Sequence, residues 1–166
     1  ENKLLVVNPT DACKLPKIEK YEIKPLEPQE IAMLLQAAST DDYANLFTVA
    51  MFTGMRQGEL LGLTWDNVNF DTGTITVKQQ LQCKDGVYFI QTPKNGKGRV
   101  IVPAQVAMDA LRDEKERQVG NQQIYGECWH NPENYVFTDM LGKHLVRRTV
   151  VKHFRAVSDR AGIKNV

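Results

Sequence analysis

The sequence predicts an α+β fold: a mainly helical domain with a three-stranded antiparallel β-meander packed at one edge. Three observations carry this. Apolar residues recur at helical spacing between residues 28 and 61, and again over 104–119 and 145–161. Between those blocks the period drops to two. Lys84-Asp85-Gly86 and Pro93 to Gly98 supply turn chemistry between short apolar runs.

Each element has a local reason. In residues 1–25, Asn8-Pro9, Leu15-Pro16 and Lys24-Pro25 interrupt regular structure, because a residue before proline is pushed out of the helical region. This stretch reads as a connector. Pro28 suits a first helical turn, and Ile31, Leu34, Leu35 and Ala38 then share one face. Asp41-Asp42 offers caps for a second helix carrying Leu46, Val49, Ala50 and Thr53, and Gly54 can end it in the left-handed conformation. A short helix from Met55 to about Leu61 carries Arg56 and Glu59. Strands are expected over 74–81, 87–91 and 99–102, with Pro103 closing the third. A helix is expected over 104–119, with Ala107, Ala110, Leu111 and Glu114 in register, followed by loop over 120–134. Tyr135 to Thr138 is a strand or a buried extended segment. Residues 145–161 form the clearest helix. Val146, Val150, Phe154, Val157 and Ala161 make its apolar stripe, and Arg148, Lys152 and Arg155 make a basic one.

Bulk properties narrow the class. The chain has 166 residues, 42% hydrophobic and 25% charged, which suits one folded domain with a sizeable core. It holds no apolar run of about 18 residues, the length a membrane-spanning helix needs, and no basic-then-apolar leader, so a cytoplasmic, membrane-free location is expected. Cys13, Cys83 and Cys128 are widely spaced and odd in number, which fits reduced thiols. No set of residues has zinc-ligand spacing, so neither metal nor cofactor is expected. The net charge of +1 is unevenly spread. Five cations face one anion between Lys78 and Arg99, and seven face one between Lys143 and Lys164, leaving −9 for the remainder. Such segregation can focus positive potential on one face.

Two residues invite a chemical reading. Arg56 follows an apolar helix and a glycine. Either it is an ion-pair partner for Glu59 three residues on, or the fold holds a cation still for an anionic ligand. A guanidinium offers a planar fork to phosphate and keeps its charge. Lys94 lies in a turn between strands. It is a solvated charge or a proton donor, since an ordinary lysine is protonated at neutral pH.

Thr53-Gly54-Met55-Arg56-Gln57-Gly58-Glu59-Leu60, followed by Leu63-Thr64-Trp65-Asp66, resembles the first conserved box of the tyrosine recombinases, the phage- and transposon-type integrases. Thr92-Pro93-Lys94-Asn95-Gly96-Lys97-Gly98-Arg99 resembles that family's lysine-bearing hairpin. Val136-Phe137-Thr138, Gly142 and the basic helix ending at Ala161-Gly162 continue in the same order. The resemblance implies a site-specific recombinase that breaks and rejoins DNA through a 3′-phosphotyrosyl link, without metal, to integrate or excise a mobile element. Arg56 would be its first catalytic arginine, Lys94 the general acid and Glu59 a structural support. Lys97, Arg99, Arg148, Lys152 and Arg155 would contact DNA. Residues 1–25 would join a core-binding domain to the catalytic domain, of which 26–166 would be the N-terminal part. The partners implied are double-stranded attachment sites, a tetramer on DNA that is a monomer or weak oligomer when free, and accessory DNA-bending or excision factors. The His-x-x-Arg box and the nucleophilic tyrosine would lie beyond Val166, and none of the five tyrosines present matches that position. This chain alone is therefore expected not to cleave DNA. The alternatives are a non-catalytic DNA-binding or protein-interaction module on the same fold, and a topoisomerase-like enzyme sharing the chemistry.

Overall fold

The computed structural model describes Cys13, residues 25–92 and residues 98–163. Its helices are α1 (Pro28–Ala38), α2 (Ala44–Thr53), α3 (Gln57–Leu61), α4 (Gln105–Tyr125) and α5 (Arg147–Arg160). Its strands are β1 (Val68–Asn69), β2 (Thr74–Val77), β3 (Gln80–Lys84), β4 (Val87–Gln91) and β5 (Arg99–Ile101). The α+β expectation holds. Leu34, Val49, Leu60, Ile75, Leu111, Phe137 and Val157 come from different elements and meet in one buried core. Burying a side chain of this kind contributes roughly 1.5–3 kcal/mol. Helix α2 packs on α4 and α1 on α5.

The helix ends follow local chemistry, with one substitution of roles. Pro28 opens α1, and the Glu27 amide donates to the Glu30 carboxylate at 2.8 Å. Gly54 ends α2 at φ 61°, and its amide donates to the Ala50 carbonyl at 3.1 Å. Asp41 and Asp42 do not cap α2, which starts after Tyr43 with no side-chain cap. Asp41 instead accepts from the Tyr43 amide at 3.1 Å and faces His153 and Arg160 of α5 at 3.0 and 3.2 Å. The α1–α2 turn is thereby tied to the last helix.

The strands are not a plain meander. β3 and β4 form a two-stranded hairpin whose turn residues, Asp85 and Gly86, both have positive φ, as a tight two-residue turn requires. β5 returns to β2, and β1 completes a separate three-stranded sheet in the order β1-β2-β5. The expected strand over 74–81 thus divides at residues 78–79. Its two halves pair with 99–101 and 87–91 in different registers. Between those registers one strand spends two residues, 78–79, and the other seven, 92–98.

Helix α4 runs six residues past the expected end at 119. Gly120 in a helix interior costs roughly 1 kcal/mol relative to alanine, too little to stop a packed helix. Gly126, at φ 51°, is the residue at which it ends. Tyr135 to Thr138 proves to be buried and to lie between two isolated bridges, Tyr135 with Thr64 and Thr138 with His144, with a bend at Val136 and Phe137 in place of a regular strand. The Val136 amide donates to the Leu63 carbonyl at 2.9 Å, and the buried Gln118 amide donates to the carbonyls of Tyr135 and Val136 at 3.0 and 2.7 Å.

Helix α3 and strand β3 touch at a glycine. A Cβ on Gly62 would lie 2.6 Å from the Leu81 backbone nitrogen. Gly62→Ala is therefore expected to destabilise the protein by about 1–3 kcal/mol by forcing the hairpin off α3. Urea unfolding measures this, and a change below about 0.5 kcal/mol would show that the contact yields freely.

Candidate active site

The site is built at the bend between α2 and α3. The left-handed backbone of Gly54 turns the chain, Met55 goes into the core, and Arg56 takes the N-cap position of α3. Glu59, one turn on, is only 8% exposed. Its carboxylate accepts from the Arg56 amide at 2.9 Å and so ties down one of the free N–H groups of the helix start. It also accepts from the Arg56 guanidinium at 3.2 Å.

A second arginine holds the same carboxylate more tightly. Both terminal nitrogens of Arg99, the first residue of β5, donate to Glu59, at 2.8 and 2.7 Å. These bonds, chiefly those from Arg99 and next the Arg56 amide, outweigh burial and lower the Glu59 pKa to about 2. Glu59 is therefore ionised throughout the neutral range. The charge balance follows: two guanidinium groups share one carboxylate, and Arg99 takes both of its oxygens. The Arg56 side chain keeps a single longer bond and is 78% exposed. Arg56 is an ion-pair partner of Glu59, as one sequence reading expected, yet most of its hydrogen-bonding fork stays open to solvent.

Arg56 lies on a cleft of about 440 Å³ between α3, the β3–β4 hairpin and the start of α5. Arg147 lines the same cleft and is fixed there by Gln57. Its Nε donates to the Gln57 side-chain oxygen at 2.7 Å, and the Gln57 amide donates to the Arg147 carbonyl at 3.2 Å. Tyr88 reaches the cleft from β4, with its ring 4.3 Å from that of His144. Partial burial raises the pKa of its hydroxyl, so it is a neutral phenol at neutral pH.

Arg148, Lys152 and Arg155 are all exposed on α5, while Val150 and Val157 of the same helix are buried. The basic stripe is thus exposed along α5, the helix that begins with Arg147 at the cleft. Lys94 and Lys97 lie outside the described residues. The structure adds two residues that sequence spacing did not single out, Gln57 and Arg147, and gives Arg99 a partner. Only the presence of Gln57 within the arginine box and of Arg147 at the helix start were visible signals. Among the described residues no three His, Cys, Asp or Glu side chains gather as metal ligands. Among them, too, no helix is long and apolar enough to cross a membrane.

Known proteins resemble this chain in sequence and in fold. The chain is 28% identical to a XerC-like tyrosine recombinase of Caldanaerobacter subterraneus subsp. tengcongensis over 89% of its own length and 40% of the relative's. It is 26% identical to the ICEBs1 integrase of Bacillus subtilis over 98% of its length and 45% of that protein. The chain thus spans less than half of these curated relatives. Its fold matches the integrase of transposon Tn1549, solved in complex with transposon right end DNA, with a TM-score of 0.73 at 21% identity, over 92% of this chain and 49% of that one. It also matches XerA recombinase with a TM-score of 0.66 at 20% identity, over 89% and 46%. The profile of the phage integrase family matches residues 24–166, nearly the whole sequence, and the chain belongs to that family.

Proposed function

We propose that this chain is part of a site-specific DNA recombinase, the N-terminal portion of its catalytic domain, joined through residues 1–25 to a core-binding domain. The observation that carries the reading is the open Arg56 fork, held at a helix start by a buried carboxylate that another arginine already neutralises.

In the whole enzyme a tyrosine oxygen attacks the scissile phosphorus. The bond from phosphorus to the 5′-oxygen breaks as the 3′-phosphotyrosyl bond forms. Arg56 donates to the non-bridging oxygens, whose charge must be held most strongly in the transition state. Lys94 gives its proton to the departing 5′-oxygen, with Lys97 nearby in sequence. Arg148, Lys152 and Arg155 grip the duplex backbone, which positions the enzyme without reading sequence. Rejoining reverses the step on a partner strand. The proposed substrates are double-stranded attachment sites of a mobile element, recombined within a tetramer and assisted by accessory DNA-bending or excision factors.

The test uses the intact protein and a nicked attachment-site duplex that traps the covalent intermediate. A protease-sensitive 3′ adduct is expected, with Lys94→Ala forming it about 100 to 10,000 times more slowly. A 5′-thiolate leaving group needs little protonation and should restore the Lys94→Ala rate. No adduct under any metal or partner condition would defeat the proposal, and failure of the sulfur substrate to rescue would remove Lys94 as the acid.

A further inference from the structure

We infer that Arg99 is a positioning residue: by occupying both oxygens of Glu59, it leaves the Arg56 guanidinium free to engage the DNA phosphate. The inference rests on the recombinase reading for what Arg56 binds, but its structural half stands on the ion-pair geometry alone.

Glu59 is buried, and a buried carboxylate demands a partner. Among the described residues two cations face it, Arg56 from its own helix and Arg99 from β5. The parallel fork from Arg99 at 2.7 and 2.8 Å is the geometry guanidinium groups use on carboxylates. The Arg56 contact is single and longer, at 3.2 Å. Remove Arg99, and Glu59 has one cation left. The Arg56 fork would then close onto the carboxylate and turn away from the cleft. A phosphate binding there would have to compete with a buried anion for the same donors.

Placement adds a second consequence. Arg99 is the residue at which β5 begins, immediately after the segment that carries Lys94 and Lys97. One carboxylate therefore anchors both the arginine of the box and the strand that follows the lysines. Near-attack geometry is demanding, and a displacement of about 1 Å costs on the order of 100-fold in rate.

The experiment compares Arg99→Gln, Glu59→Gln and the double variant in the intact protein. Glutamine at 59 keeps an oxygen for the Arg56 amide and removes the anion. Expected for Arg99→Gln is cleavage slowed on the order of 100-fold, with DNA affinity within about threefold of wild type. In the double variant most of that loss should return, because no buried anion remains to capture Arg56. Cleavage by the double variant no faster than by Arg99→Gln would overturn the inference. So would weakened DNA binding with a shallower salt dependence, the signature of a direct phosphate contact. A second readout needs no activity. NMR titration of the Glu59 side-chain carbon should move its midpoint from about 2 toward the ordinary carboxylate range in Arg99→Gln. An unmoved midpoint would overturn the inference even if the whole protein cleaved no DNA. A wild-type protein that forms no adduct, with the midpoint moved as expected, would remove the recombinase reading and leave the neutralising role of Arg99 standing.

Discussion

Arg56→Ala in the intact enzyme is expected to slow formation of the covalent DNA adduct by about 1,000-fold or more while leaving DNA affinity nearly unchanged. Loss of a single preorganised donor at a developing oxyanion typically costs about 100- to 1,000-fold. An arginine supplied to a transferring phosphoryl group contributes about 1,000- to 100,000-fold. The structure explains why activity and stability should separate. The side chain is 78% exposed and holds Glu59 by one bond of 3.2 Å, so its loss leaves the carboxylate still gripped by Arg99. The amide that caps onto Glu59 belongs to the backbone and survives the substitution. Stability should therefore change by no more than about 1 kcal/mol. Single-turnover cleavage, fluorescence anisotropy on the same duplex and a thermal melt measure the three quantities. A rate within tenfold of wild type would place the phosphate elsewhere. Arg56→Lys should fall between the two, since it keeps the charge and loses the fork.

Arg117→Ala should do the opposite and strike the fold. Glu114 of α4 is 3% exposed, and its carboxylate accepts from Arg117 through both oxygens and from the Asn45 amide of α2 at 3.2 Å. Arg117 also donates to the Thr138 carbonyl at 3.0 Å, so the pair ties α2, α4 and the buried 135–138 segment together. Truncating one partner of a buried pair costs about 3–5 kcal/mol. At about 2–4 °C per kcal/mol, the melting temperature should fall by roughly 10 °C. The pH dependence identifies the cause. Burial raises the Glu114 pKa above 4.5, and Arg117 and Asn45 pull it back. Without Arg117 it rises further. The folded state then holds a proton that the unfolded state releases above pH 4.5, so the variant loses stability as pH climbs through that value toward neutrality. Below it the carboxyl is protonated in both states, and the deficit should shrink toward the loss of ordinary hydrogen bonds, about 1 kcal/mol. Urea unfolding at pH 7 and pH 4 tests this. An equal deficit at both would assign the loss to packing and not to the stranded charge.

The sequence made some of this legible because the signals were local. Pro28 and Gly54 are punctuation read within one turn of chain, and Val150, Phe154 and Val157 of the expected α5 stripe do face the core, while Val146 at its start stays exposed. The tight turn at Asp85-Gly86 was equally direct. The errors lie where one signal had to be weighed against distant packing. Residues 120–134 looked like loop, yet α4 runs on to Tyr125, about two turns past its last buried residue, Gln118. Residues 74–81 looked like one strand, and nothing in their composition marks the division at 78–79 that two partners in two registers impose. At the site, Glu59 and Arg56 were adjacent in the box. Arg99 lies forty residues away from Glu59, and Arg147 ninety from Gln57, so neither pairing leaves a mark in local spacing. Glu114 and Arg117 were within one helical turn, yet their burial depends on α2 and on the chain after residue 134.

The two ladders around β2, β3, β4 and β5 are pinned independently, one by the hairpin turn and one by the return to β2. A change in the number of amino acids between positions 92 and 98 therefore need not slide either set of paired strands.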